Sequence, residues 1–119
     1  MPDGAAAGVP AKGLLVSDRI ESIRKMLQAD GDDVFLQYSL GMEYVAAGRH
    51  EEADAAFRRC MEIDADYLAA YVEAGKNLRA AGDLAGAREV FSRGMELARQ
   101  LGEQHTVDHV RQQLQSLPQ

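Results

Sequence analysis

The chain has 119 residues, 13 lysines and arginines against 19 aspartates and glutamates, and a formal net charge of −6. An acidic chain without a basic stripe is a poor candidate to bind the phosphates of nucleic acid or an anionic membrane surface. Its length predicts a single domain. One cysteine cannot form an intramolecular disulfide, so we expect a cytoplasmic protein.

The chain starts with a glycine-, proline- and alanine-rich segment, residues 1–15, which predicts a disordered tail. Ser17 is the expected N-cap of a helix that runs to about Ala29. The apolar stripe of this helix consists of Ile20, Ile23, Met26 and Leu27. The helix lies where the second helix of a preceding repeat unit would fall, so residues 16–30 are predicted to form a capping half-repeat.

Residues 41–95 contain one pattern written twice at an offset of 34 residues. The matched positions are Gly41 and Gly75, Gly48 and Gly82, Ala53 and Ala87, Phe57 and Phe91, Met61 and Met95, and Glu62 and Glu96. A period between about 20 and 50 residues is typical of a stacked repeat architecture. We therefore expect two full repeats, over residues 34–67 and 68–101.

The apolar pattern of each repeat predicts two amphipathic helices joined by a tight turn. The predicted helices span residues 34–47, 51–63, 68–81 and 84–101. Gly48 and Gly82 end the first helix of each pair, because glycine enters the left-handed conformation of a helix C-terminus without steric cost. The expected N-caps are Asp33, Asp66 and Asp83, and the expected exposed ion pairs are Asp54 with Arg58 and Glu89 with Arg93.

A last helix is predicted over residues 103–116. Its apolar face consists of Val107, Val110, Leu114 and Leu117. A terminal helix of a stack must cover the exposed flank of the last repeat and present a polar side to water. We therefore expect residues 103–117 to cap the second repeat.

The residues of the two units resemble the tetratricopeptide repeat, and the chain looks like a small bacterial-type member of that family. In the first unit the matching residues are Leu40, Gly41, Tyr44, Gly48, Ala53, Phe57 and the small Cys60; in the second they are Gly75, Gly82, Ala87, Phe91 and Gly94. The second unit departs from the pattern at Ala74 and Leu78. The resemblance implies an all-α, right-handed superhelical stack of antiparallel helix pairs, with N- and C-terminal capping helices, the last being a solvating helix. It also implies a scaffold for protein–protein contact.

No catalytic constellation, nucleotide-binding glycine loop or cofactor motif is present, so we expect no enzyme activity and no cofactor. His105 and His109 are four residues apart, a spacing that can place two imidazoles on one metal ion, with Asp108 or Glu103 as a further ligand. Two ligands do not make a site, and no HExxH or CxxC motif accompanies them. The histidines are interpreted as exposed side chains, and no metal site is predicted.

In stacked helix pairs, the first helices line the concave face. The predicted peptide-binding groove consists of Phe35, Tyr38, Met42 and Val45 from the first unit, and Ala69, Val72, Lys76 and Arg79 from the second. This groove combines an apolar part with a basic part formed by Lys76 and Arg79, which suits a protein or peptide with an acidic group and apolar anchors. Tyr38, Met42 and Glu73 depart from the carboxylate clamp of some family members. The alternative hypothesis is a homodimer formed through the apolar face of residues 35–45.

Overall fold

The computed structural model describes residues 12–118, with side-chain positions from residue 17 onward. Within that part the chain is all-α and forms six helices. These are α1 (Lys12–Ala29), α2 (Val34–Ala46), α3 (His50–Ile63), α4 (Leu68–Ala80), α5 (Leu84–Leu101) and α6 (Gln104–Ser116). Five of the predicted helices thus begin within one residue of the expected position.

The helices stack in chain order. The two main antiparallel pairs are α2 with α3 and α4 with α5, and α3 packs on α4 to join them. At the two ends, α1 packs on α2 and α6 packs on α5. The predicted all-α repeat solenoid is confirmed. None of the described helices combines the length and the apolar character needed to cross a membrane.

Close contact between a glycine and a phenylalanine holds each main pair together. A Cβ atom on Gly41 would lie 2.5 Å from Cε1 of Phe57, and a Cβ on Gly75 would overlap the ring of Phe91 in the same way. Both phenylalanine side chains are fully buried. The repeated glycine and phenylalanine of the sequence are therefore two halves of one contact.

The first helix of each pair ends in a glycine turn, as predicted. Gly48 has φ +74° and Gly82 has φ +89°, in the left-handed region that favours glycine. At the first turn the amide of Arg49 donates to the carbonyl of Tyr44 at 2.9 Å. The same carbonyl also accepts from the amide of Ala47 at 3.1 Å, so the turn provides two donors to a carbonyl at the helix end.

Two of the three predicted N-caps are confirmed. The carboxylates of Asp33 and Asp83 accept hydrogen bonds from the third residue after them at 3.0 and 2.9 Å. The prediction for Asp66 is wrong, because Tyr67 occupies the N-cap of α4. The amide of Asp66 instead donates to the carboxylate of Asp64 at 3.0 Å, which closes a local turn before the helix. Asp66 thus lies one residue before the N-cap position.

The first helix starts earlier than the sequence indicated. It begins at Lys12, so Ser17 lies inside the helix and is not its N-cap. The last four residues of the predicted tail, 12–15, belong to this helix, and residues 1–11 lie outside the described part of the chain.

The apolar stripe of α1 is narrower than predicted. Ile20 is buried, and Ile23 and Leu27 pack against the core. Met26 was expected in the same stripe, but its side chain is 49% exposed. At about 100° per residue, Met26 lies roughly 120° around the helix from Ile20 and therefore turns away from α2.

One of the two predicted surface ion pairs is present. Nε of Arg58 lies 2.8 Å from the carboxylate of Asp54. Arg93 was expected to pair with Glu89, but its guanidinium lies over the ring of Tyr71, 5.4 Å from the centroid. The face of a tyrosine ring attracts a cation, so α4 supplies the partner of Arg93.

Candidate functional site

The eight predicted groove residues divide according to their position along α2 and α4. Phe35, Tyr38, Ala69 and Val72 lie in the first turns of the two helices and form what we call the amino band. Met42, Val45, Lys76 and Arg79 lie in the later turns and form the carboxyl band. The two bands differ in exposure, charge and neighbours.

A pocket of about 400 Å³ lies beside the amino band, between α4 and α6. Its walls are formed by Leu68, Ala69, Val72 and Glu73 from α4, and by His105, Thr106 and His109 from α6. We call it the α4–α6 pocket. Its α4 side is mostly apolar, and its α6 side carries groups that can donate or accept hydrogen bonds.

The sequence did not predict that α6 contributes to this site. It identified His105 and His109 only as a spacing with metal-binding potential, whereas both line the pocket on the side opposite α4. A signal was present: His105 is the second residue of α6, just as Phe35 and Ala69 are the second residues of α2 and α4. Among the described residues, no group of three or more histidine, cysteine or acidic side chains is placed to hold a metal ion.

Aromatic side chains connect α2 to α4 at the amino band. The ring of Tyr38 lies 5.5 Å from that of Tyr67 and 5.9 Å from that of Phe57, measured between centroids. Burial, and then the negative charge of Glu73, raise the pKa of the Tyr38 phenol. Tyr38 is therefore neutral at physiological pH and half-buried. One turn earlier, Phe35 is 64% exposed.

The apolar members of the predicted groove are not equally accessible. Met42, Val45 and Val72 are partly buried and pack against the core. Phe35 and Ala69 are exposed. An incoming side chain therefore finds its most accessible apolar surface at the amino band.

The basic part of the predicted groove, Lys76 and Arg79, carries less unbalanced positive charge than expected. Nζ of Lys76 lies 3.4 Å from Oε2 of Glu73, so its charge is balanced within α4. Arg79 donates from Nη1 to the hydroxyl of Ser116 at 3.4 Å, which connects the ends of α4 and α6. Within residues 17–118, Arg79 forms no ion pair. The carboxyl band thus offers one cation that a carboxylate does not already balance.

Comparison with known proteins places the chain in a family. The model of the tetratricopeptide repeat matches residues 36–67. A TPR repeat-containing protein of Pseudomonas aeruginosa, PA0015, is 42% identical over 79 residues, which are 66% of this chain and 75% of the relative. The chain belongs to the tetratricopeptide repeat family, whose members are typically non-catalytic protein-interaction modules.

Solved structures share the fold at low sequence identity. PcrH in complex with the chaperone binding region of PopD has a TM-score of 0.78 and 19% identity, over 85% of this chain and 77% of PcrH. The TPR2B-domain–pHsp70 complex of yeast Sti1 has a TM-score of 0.77 and 14% identity, over 83% and 79%. MamA has a TM-score of 0.71 and 19% identity over 74% of this chain, which spans 52% of that structure.

Proposed function

We propose that this protein binds an extended segment of another protein on the face formed by α2, α4 and α6, and that it has no catalytic activity. The observation that carries the proposal is the α4–α6 pocket, whose lining includes Ala69 and Val72 of the amino band. Two structural neighbours, PcrH with a region of PopD and Sti1 with pHsp70, are complexes with another polypeptide, which supports this proposal.

The chemistry of the pocket indicates how such a segment binds. Burial of one apolar side chain against Leu68, Ala69 and Val72 contributes about 1.5–3 kcal/mol of binding free energy. The side chains of His105 and Thr106 can form hydrogen bonds to the backbone of the bound segment. An apolar anchor surrounded by polar groups is the usual composition of a specific interface.

The remaining helices have a supporting role in this proposal. Residues 34–67 and 68–101 are the two repeat units, since each contains one antiparallel helix pair. Residues 16–30 and 103–117 cover the outer flanks of a domain that spans residues 16–117. In α6 the covering face is Val107 and Val110, both buried, while the opposite face carries the pocket histidines.

The experiment that tests the proposal fills the pocket. Peptides are selected from a random-peptide phage library against the whole chain, and their affinities are measured by calorimetry. Ala69→Trp places a large ring in the pocket from an exposed position and is expected to weaken binding at least about tenfold. Ala85→Trp is the matched control, because Ala85 is the exposed second residue of α5, outside the pocket. The proposal is overturned if no peptide is enriched, or if Ala69→Trp binds as the wild type does.

A homodimer is the second candidate, and the exposure of Phe35 is the observation that favours it. In this candidate, residues 35–45 of two copies face each other, and the dimer buries more than about 1,000 Å² in total. Light scattering over a range of protein concentrations tests it directly. A dimer that Phe35→Arg converts to a monomer supports this candidate, whereas a monomer at every concentration excludes it.

A further inference from the structure

We call the surface from the α4–α6 pocket to the contact between Arg79 and Ser116 the crevice. Its two ends differ chemically, and one stripe of α4 runs from one end to the other. Val72 lines the apolar pocket, and Arg79 reaches the hydroxyl of Ser116 at the far end of α6. The two residues are seven positions apart, which is about two helical turns, so they share a face of α4. With a rise of 1.5 Å per residue, they are separated by about 10 Å along the helix.

The charge pattern of this stripe distinguishes its two cations. Lys76 lies between Val72 and Arg79, but Glu73 already balances its charge at 3.4 Å. Arg79 contacts the neutral hydroxyl of Ser116, and the side chains described for residues 17–118 give it no carboxylate partner. A guanidinium presents its N–H donors as a planar fork that matches a carboxylate, so Arg79 is the better binding partner for an acidic side chain.

The separation of about 10 Å selects a spacing in the ligand. An extended chain in the polyproline II conformation has about three residues per turn and rises about 3.1 Å per residue. Residues three positions apart therefore lie on the same side of such a chain, about 9 Å from each other. A β-strand is a poorer match, because side chains three positions apart lie on opposite faces.

We propose that the protein recognises an extended segment in which an acidic residue stands three positions from an apolar anchor. The anchor enters the α4–α6 pocket, and the carboxylate binds Arg79. This inference rests on the proposed function and specifies the ligand of the same site. The crevice is thus selective for the spacing between two side chains of its partner, in addition to binding each of them.

The test uses a random-peptide phage library selected in parallel on the wild-type chain, Arg79→Glu and Arg99→Glu. Arg99 is the matched control, since it is an exposed arginine of α5 that pairs with Glu96 outside the crevice. We expect the wild type and Arg99→Glu to enrich Asp or Glu three positions from an apolar residue. Arg79→Glu should instead enrich Lys or Arg at that position, and it should bind wild-type peptides at least about tenfold more weakly.

The outcomes separate this inference from the proposed function. Peptides that lose affinity with Ala69→Trp but carry no acidic residue at the expected spacing overturn the inference and leave the proposed function intact. A spacing of two overturns it as well, because that shorter distance would indicate Lys76. A failure to enrich any peptide overturns both. Arg79→Gln, which removes the charge without reversing it, should give an intermediate loss, and equal melting temperatures of the variants verify that they are folded.

Discussion

His50 and Asn77 connect the two repeats by a reciprocal pair of hydrogen bonds. The Asn77 amide nitrogen donates to the backbone carbonyl of His50 at 2.9 Å, and Nδ1 of the His50 ring lies 2.7 Å from the Asn77 amide oxygen. Because that oxygen can only accept, Nδ1 of His50 carries the hydrogen. Asn77 is 2% exposed and His50 is half-buried, so the Asn77 side chain depends on these bonds to satisfy its amide.

Asn77→Ala should destabilise the stack by about 1–3 kcal/mol, since it removes the partner of the His50 ring N–H and the Asn77 hydrogen bond to the His50 carbonyl. Urea denaturation measures this change in the free energy of unfolding. His105→Ala, at an exposed position, is the control and should change it by less than about 0.5 kcal/mol. Equal stability of Asn77→Ala and the wild type would show that the pair does not hold the repeats together.

Gly41→Ala and Gly75→Ala should each lower stability by about 1–3 kcal/mol, because the new methyl group would overlap the ring of Phe57 or Phe91. In an ordinary helix the same substitution stabilises by about 1 kcal/mol, so the sign of the effect is diagnostic. Thermal denaturation measures it. Combining Gly41→Ala with Phe57→Leu, which makes room for the methyl group, should cost less than the sum of the two single changes. Strict additivity would contradict the close contact.

Asp33→Ala and Asp83→Ala should each cost about 1 kcal/mol, since each removes the acceptor of a hydrogen bond from the first turn of a helix. Asp66→Ala is the internal control, because Asp66 precedes the N-cap of α4 and its side chain does not cap the helix. Its expected cost is below about 0.5 kcal/mol. Denaturant midpoints of the three variants provide the comparison, and a loss at Asp66 as large as the other two would refute the assignment.

Burial raises the pKa of the Cys60 thiol from 9.0 to about 11. The neutral thiol is favoured in the folded state, so this contribution to stability is complete below about pH 9 and is lost as the pH rises towards 11. Melting temperatures between pH 8 and 11 should therefore fall more steeply for the wild type than for Cys60→Ala. Burial also raises the pKa values of Tyr38 and Tyr67, and the Cys60 thiolate raises both further, so the difference between the two proteins includes this coupling to Cys60. Parallel curves would show that Cys60 does not titrate in this way.

The main helices could be predicted from the sequence because the residues that form their contacts occur in both repeats. A glycine that faces a phenylalanine recurs at an offset of 34, and the structure shows why the two residue types accompany each other. The bond between His50 and Asn77 had no such signal. A shift of 34 residues turns the pair into Leu84 and Arg111 in one direction and Val16 and Glu43 in the other, and neither pair has the imidazole and the amide that form these bonds. A polar contact that occurs only once, at the boundary between the two repeats, cannot be predicted from periodicity.

The candidate site was predicted in part for a related reason. Its α4 residues follow from the repeat, but the place of His105 depends on how long α5 is, and the sequence contains no second copy from which to judge that length. The pairing of Lys76 was also missed, because a lysine three residues after Glu73 can either bind it or extend into solvent. Side-chain packing, and not periodicity, decides between those two arrangements.

The length of α5 also limits how the molecule can be enlarged. This helix has 18 residues against 14 in α3, about one turn more, and α6 starts 36 residues after α4, whereas α4 starts 34 residues after α2. The turn at Gly102, with φ +74°, absorbs the two additional residues, because α6 still presents His105 and His109 to the pocket that α4 lines. A consensus unit added to lengthen this scaffold should therefore be joined after Gly102 and not within the continuous helix α5.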